Sequence, residues 1–147
     1  LCRRWRDNGL PDEQFLYSGQ VAPDAVPRYM SAFDVGVMPL PWTQHFAYYA
    51  SSLKLFEYMA SKCVVVASEL PSTQEVVQHE QTAMLFPPDD VTALANVLRR
   101  LRDDEALRDK LANAAYNLVM TQYTWGARAQ TIKQHIETRQ RMTVHHA

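Results

Sequence analysis

Cysteine, charge imbalance and long apolar runs are all scarce in this sequence, and each scarcity removes a class of protein. Only Cys2 and Cys63 occur in 147 residues, too few and too differently placed for a disulfide framework or a metal-ligand spacing. Cys63 opens the apolar run "CVVVA", where a small buried hydrophobe is expected, and a reduced, cytosolic compartment is the expectation that follows. No apolar stretch approaches the length of a membrane span. The start, "LCRRWRDNG", has neither a signal peptide's apolar region nor an initiating Met, so a fragment of a longer protein is expected. The formal net charge of -1 gives no reason to expect nucleic acid. Arg3, Arg4 and Arg6 are soon followed by Asp7, Asp12 and Glu13, which reads as a solvated helix face rather than an anion-binding patch.

What is present is the composition of a soluble globular domain, with 47% apolar and 21% charged residues, in a chain long enough for one core and too short for two. Helix-like and strand-like segments alternate, the pattern of an α/β fold whose mostly parallel sheet is covered by helices. "LCRRWRDNG" reads as a helix end, with Gly9 able to take the left-handed conformation beyond it. "FLYSG" and "VGVMPL" read as strands, separated by a short helix in which Val26, Tyr29, Met30 and Phe33 recur at helical spacing. "VVVAS" is a third strand, continuously apolar as expected where both faces are buried. "AMLF" is a weaker fourth.

After "FPPDD" the pattern becomes helical. Asp90 is a plausible N-cap, with Asp89 in the turn before it, for a helix carrying Leu94, Val97, Leu98 and Leu101 on one face. A second helix carries Leu107, Leu111, Ala114 or Ala115, and Leu118. A third begins near "YTWGARAQTI", is expected to pack Trp125 and Ile132, and runs into a polar tail at residues 138–147. The pair His145 and His146 in that tail reads as a chain end, since two histidines without further ligands make a poor metal site.

The informative stretch is "SSLKLFEYMASKCVVVAS". On a wheel spanning residues 52–61, Leu53, Leu55, Phe56, Met59 and Ala60 share one broad side, while Lys54, Glu57 and Ser61 gather on its edge. Ser51 can cap the helix, whose first free N–H groups and positive dipole end suit a phosphate. Lys54 stands within a turn of that end. Glu57, about one turn on, offers two acceptor oxygens for neighbouring hydroxyls such as those of a ribose. The bland alternative is an exposed Lys54 and Glu57 pair worth a few tenths of a kcal/mol. The preceding loop, "PLPWTQHFAYYASS", crowds Trp42, His45, Phe46, Tyr48 and Tyr49 at the carboxyl end of a strand, where open α/β sheets bind ligands. It reads equally as a hydrophobic lid on the core. His45 is the one imidazole in that loop, able to donate or accept a hydrogen bond to a ligand.

"YYASSLKLFEYMASKCVVVASELPSTQEVV" resembles the nucleotide-sugar-binding region of family 4 retaining glycosyltransferases, in the Rossmann-like C-terminal half of the two-domain GT-B fold. "FLYSGQVAPDAVPRYMSAFDVGVMPL" resembles the segment before it, and "TAMLFPPDDVTALANVLRRLRDDEALRDKL" and "YTWGARA" the closing helices. The resemblance implies a Rossmann-like domain at residues 1–137 that lacks its first strand and helix. It implies that Glu57 binds the donor's ribose and that Ser51, Ser52 and Leu53 present N–H groups to the diphosphate with Lys54 close by. Tyr49 stands where the family carries the first of its two glutamates, near the transferred sugar, so that role is not carried over; Tyr49 and His45 remain candidate sugar contacts. The family has Gly after the helix and Pro before the strand, where this chain has Lys62 and Val64, so Lys62 is expected to need a left-handed conformation. Glu80 and Ala83 also stand where glycines are common.

The activity implied is retaining transfer of a sugar from a nucleotide-sugar donor to a saccharide or lipid-linked acceptor, with no cofactor. No Asp-x-Asp metal motif is present, so no metal is expected. The implied partners are an N-terminal acceptor domain absent from this chain and, for the parent protein, a peripheral association with membrane; this chain alone is expected to transfer nothing. Two alternatives stay open. One is another nucleotide-sugar enzyme on the same fold, such as an epimerase; the other is a non-catalytic α/β domain whose aromatic loop contacts a protein partner.

Overall fold

The computed structural model describes residues 2–144, with side chains through residue 139. The helix α1 (Cys2–Asp7) ends as its sequence suggests: Gly9 adopts φ 68° and donates its N–H to the carbonyl of Arg6 at 2.9 Å. The neighbouring basic cluster is solvated and paired, with Arg3 3.9 Å from Asp7 and Arg6 2.9 Å from Asp12. A 3-10 turn at Asp12–Gln14 follows.

The strand expected at residues 15–19 is absent. Phe15 instead stacks on Trp5, ring centroids 5.1 Å apart, and Leu16 is 92% exposed. An extended segment becomes a strand only where a neighbour accepts its N–H groups, and the described residues provide none for this one. The short helix α2 is confined to Val26–Met30, and the expected face only half forms: Met30 packs against the core, whereas Tyr29 and Phe33 are exposed.

The strands β1 (Val35–Met38), β2 (Val64–Ser68) and β3 (Met84–Phe86) form one parallel sheet in the order β1-β2-β3. Val35 pairs with Val64, and Val66 with Met84. Parallel neighbours require crossovers, supplied by α3 (Leu53–Ala60) between β1 and β2 and by α4 (Pro71–Gln74) between β2 and β3. All five residues of β2 are buried, as its unbroken apolar sequence predicts. Alternation divides them between two layers: Val65 and Ala67 pack with Leu55, Met59 and Val119, while Val64 and Val66 pack with Met84, Phe86, Leu101 and Leu111.

The helices α5 (Val91–Asp103) and α6 (Glu105–Gln122) close those layers. Asp90 caps α5 as expected, its carboxylate accepting the Ala93 N–H at 2.8 Å, and Asp104 caps α6 through Leu107 N–H at the same distance. Ala115, not Ala114, is the buried alanine of α6. The helix α7 (Trp125–Val144) runs through the residues read as the start of a polar tail; His145 and His146 lie outside the described residues. Trp125 and Ile132 do not pack inward as expected, since they are 86% and 56% exposed.

Gly36 in β1 has a packing reason. A Cβ built there would lie 2.6 Å from ring atoms of Tyr58, which is itself buried in the first layer. Gly36→Ala is therefore expected to cost about 1–3 kcal/mol in chemical unfolding. The loss should shrink in a Tyr58→Leu background, because the two substitutions share one contact; an equal loss in both backgrounds would dissociate Gly36 from the ring.

Candidate functional site

Because α3 joins two parallel strands, its N-terminus lies at the carboxyl edge of the sheet, where α/β folds leave their ligand crevice. The loop leading there contains a single π-helical turn, His45–Tyr49. Fully buried Ala47 anchors it, with its N–H donating to the Thr43 carbonyl at 2.8 Å, and Ser72 Oγ donates to the Phe46 carbonyl at 2.6 Å. Trp42, Tyr48 and Tyr49 remain exposed, Tyr49 at 73%. The loop is thus not a lid of aromatic rings on the core: alanine enters and the tyrosines stay out. His45 is exposed, edge to face with Phe46 at 5.4 Å between centroids.

Two details of the helix start differ from expectation. The N-cap is Ser52 rather than Ser51, and neither serine makes a side-chain cap bond. Leu53 and Ala60 are exposed, while Tyr58, missing from the expected apolar side, is buried. The core direction of α3 therefore runs through Leu55, Tyr58 and Met59, with Phe56 on the flank. Lys54 and Glu57 are both exposed and lie one turn apart. Neither forms an ion pair or side-chain hydrogen bond among the described residues, so the structure does not show them paired with each other.

The N–H groups of residues 51–54 find no acceptor among the described residues. Such orphan donors carry the positive end of the helix dipole. Beside them open two adjoining clefts of about 310 and 300 Å³, sharing Ser51, Phe56, Tyr123 and Arg128. Ser52, Tyr49 and Glu75 line the second. Lys54, Glu57 and His45 line neither. Arg128 and Tyr123 were not singled out from sequence, because they come from a helix end some seventy positions further along; Tyr123 is held there by its ring, 5.3 Å from that of Phe56.

At the other end of α3 the chain turns sharply into β2. Lys62 adopts φ 57°, the left-handed conformation expected where the family has glycine, and its ammonium lies 4.9 Å from the Tyr116 ring centroid. Glu80 does the same at φ 58°, ion-paired to Arg100. That guanidinium, through its hydrogen bond and its charge, holds the Glu80 carboxyl below the usual range. Cys63 is fully buried. Burial first, and the negative charge of Asp34 second, push its thiol from the ordinary 9.0 to about 11.

Residues 2–104 match the family model described as glycosyl transferases group 1. The chain belongs to that family. A Bacillus subtilis (strain 168) protein, TuaH, whose name places it as a glycosyltransferase in teichuronic acid biosynthesis, is 32% identical over 106 residues, 68% of this chain and 25% of TuaH. The C-terminal domain of the group 1 glycosyltransferase LpcC from Francisella tularensis superposes with a TM-score of 0.71 at 28% identity, over 84% of this chain and 60% of that one. Anabaena HepE (Alr3699), solved with UDP, gives a TM-score of 0.73 at 20% identity over 92% of this chain and 35% of HepE, a likeness of fold alone. This group 1 domain thus has the Rossmann-like fold of a GT-B C-terminal half and spans a quarter of TuaH's length.

The electrostatics of the turn after α3 are open to test. A thiol whose folded pKa is raised contributes stability that is complete below its unfolded value of 9.0 and is lost as pH rises toward about 11. With a disulfide reagent at about pH 8, Cys63 should react only after denaturant is added. Prompt labelling of Cys63 in the native protein would show that this turn opens readily.

Proposed function

We propose that this chain is the donor-binding part of a retaining, metal-independent glycosyltransferase that moves a sugar from a nucleotide-sugar to a saccharide or lipid-linked acceptor. The observation that carries the reading is the start of α3. Four unbonded N–H groups, Lys54 and Glu57 occur within seven residues at the carboxyl edge of the sheet, in a member of the glycosyl transferases group 1 family. That family membership favours transfer over the epimerase and interaction-domain readings.

In this reading the diphosphate binds the N–H groups of Ser51, Ser52 and Leu53, with the Lys54 ammonium beside it. Donors fixed by the helix meet the charge that grows on the diphosphate as the glycosidic bond breaks, without reorganising at that moment. Lys54 supplies the positive charge that a metal would otherwise bring. Glu57 accepts both ribose hydroxyls, which fixes the nucleotide's long axis relative to the helix. Its exposed carboxylate is suited to this, since it has no bond to break among the described residues. The bound UDP of the HepE structure is in keeping with a nucleotide on this fold. An acceptor-binding half, peripheral association with membrane and a cytosolic location complete the proposal for the whole protein.

The test is a comparison of affinities. Glu57→Gln should weaken nucleoside diphosphate binding by about 1–3 kcal/mol, the scale for losing a charged hydrogen-bond partner, while leaving the melting temperature nearly unchanged. The diphosphate should bind more tightly than the uncharged nucleoside, by a margin that narrows in Lys54→Ala. Equal affinity for the two ligands in the unaltered protein would remove the anion site, and a Glu57→Gln variant that unfolds but binds normally would reassign Glu57 to stability.

A further inference from the structure

The cleft that Glu57 and Lys54 do not line has its own unused chemistry. Arg128, in the first turn of α7, and Glu75, just beyond α4, both border it. Both are exposed, and neither side chain forms an ion pair or hydrogen bond among the described residues, with the other or with any third group. They are held in place by backbone. The Arg128 N–H donates to the Thr124 carbonyl at 3.0 Å, and the Tyr123 hydroxyl reaches the Glu75 carbonyl at 3.4 Å. Tyr49 and Tyr123 supply aromatic surface beside them. Five guanidinium donors, two carboxylate acceptors and aromatic walls together match a sugar ring, which offers hydroxyls that both donate and accept and C–H faces that pack on aromatic carbon.

We propose that this cleft takes the transferred sugar as a neutral monosaccharide unit, with Arg128 and Glu75 as the residues that determine its specificity. The proposal rests on the donor-binding reading above. Three observations narrow the ligand. The volume of about 300 Å³ lies at the lower end for ligand pockets, which suits one ring rather than a chain. The opposite charges of Arg128 and Glu75 decide against an acidic sugar: its carboxylate would gain at the guanidinium and lose at Glu75, whereas neutral hydroxyls use both. Ser51 and Ser52 line the same cleft, so a sugar bound here adjoins the N–H groups assigned to the diphosphate, as a sugar on its terminal phosphate must.

The experiment measures affinities of the intact protein for UDP-glucose, UDP-galactose, UDP-N-acetylglucosamine and GDP-mannose, each against its nucleoside diphosphate. Arg128→Gln and Glu75→Gln should each weaken the best nucleotide-sugar by about tenfold, one lost charged hydrogen bond, and leave the nucleoside diphosphate within about twofold. Glu57→Gln should weaken both ligands together. Equal losses of sugar and nucleoside diphosphate in Arg128→Gln would place the nucleotide in the cleft and overturn the proposal, as would no loss of either. If no nucleoside diphosphate binds the unaltered protein, the donor-binding reading falls. Saturation-transfer NMR with free glucose, galactose, N-acetylglucosamine and mannose then judges the cleft by itself: a signal abolished by Arg128→Gln upholds a sugar site, and no signal overturns it.

Discussion

The strand β2 has no solvent face, and the placement of most other elements follows from that constraint. A five-residue segment buried on both sides needs neighbours at both edges and a helical layer above and below. β1 and β3 supply the edges, while α3 and α6 cover one layer and α5 and the start of α6 the other. Parallel pairing then sets the direction of α3, because a crossover must return the chain to the same end of the sheet. The start of α3 is therefore carried to the carboxyl edge by the topology, whatever its own residues prefer.

One helix serves two surfaces as a result. Leu55, Tyr58 and Met59 fix α3 to the sheet, and Gly36 makes room for the Tyr58 ring. With the core face anchored, the remaining positions are free to differ without loss of packing, and there Lys54 and Glu57 stand without a side-chain partner among the described residues. The tight passage from α3 into β2 adds to this rigidity: Lys62 accepts a backbone conformation disfavoured for a residue with a Cβ, and its side chain lies over Tyr116 on α6.

Sequence patterning was a good guide wherever a segment's fate depends on its own residues. β2, β3, the Asp90 cap, the left-handed Gly9 and the exposed edge of α3 could all be read directly. It failed where a distant partner decides. "FLYSG" has strand composition, but composition supplies no ladder partner. Trp125 and Ile132 have helical spacing, and spacing shows which residues share a stripe without showing what covers it. At the candidate site, Glu57 and Lys54 were visible because their exposed positions follow from the spacing of one helix. Arg128, Tyr123 and Glu75 were not, because they meet Ser51 only through the packing of α4 and α7 around it.

The all-parallel connectivity also has a kinetic side. No two strands here can zip from a hairpin turn; β1 must wait for twenty-five intervening residues before Val64 is available, and each strand pair closes a loop that contains a helix. Loop-closure entropy is thus spent before any ladder bond rewards it, which slows folding relative to hairpin sheets of the same size. During synthesis, the apolar run of β2 leaves the ribosome ahead of β3 and of the helices that will cover it. In that interval its shelter is the already emerged β1 and α3, so the order of elements along the chain is itself a safeguard against misassociation.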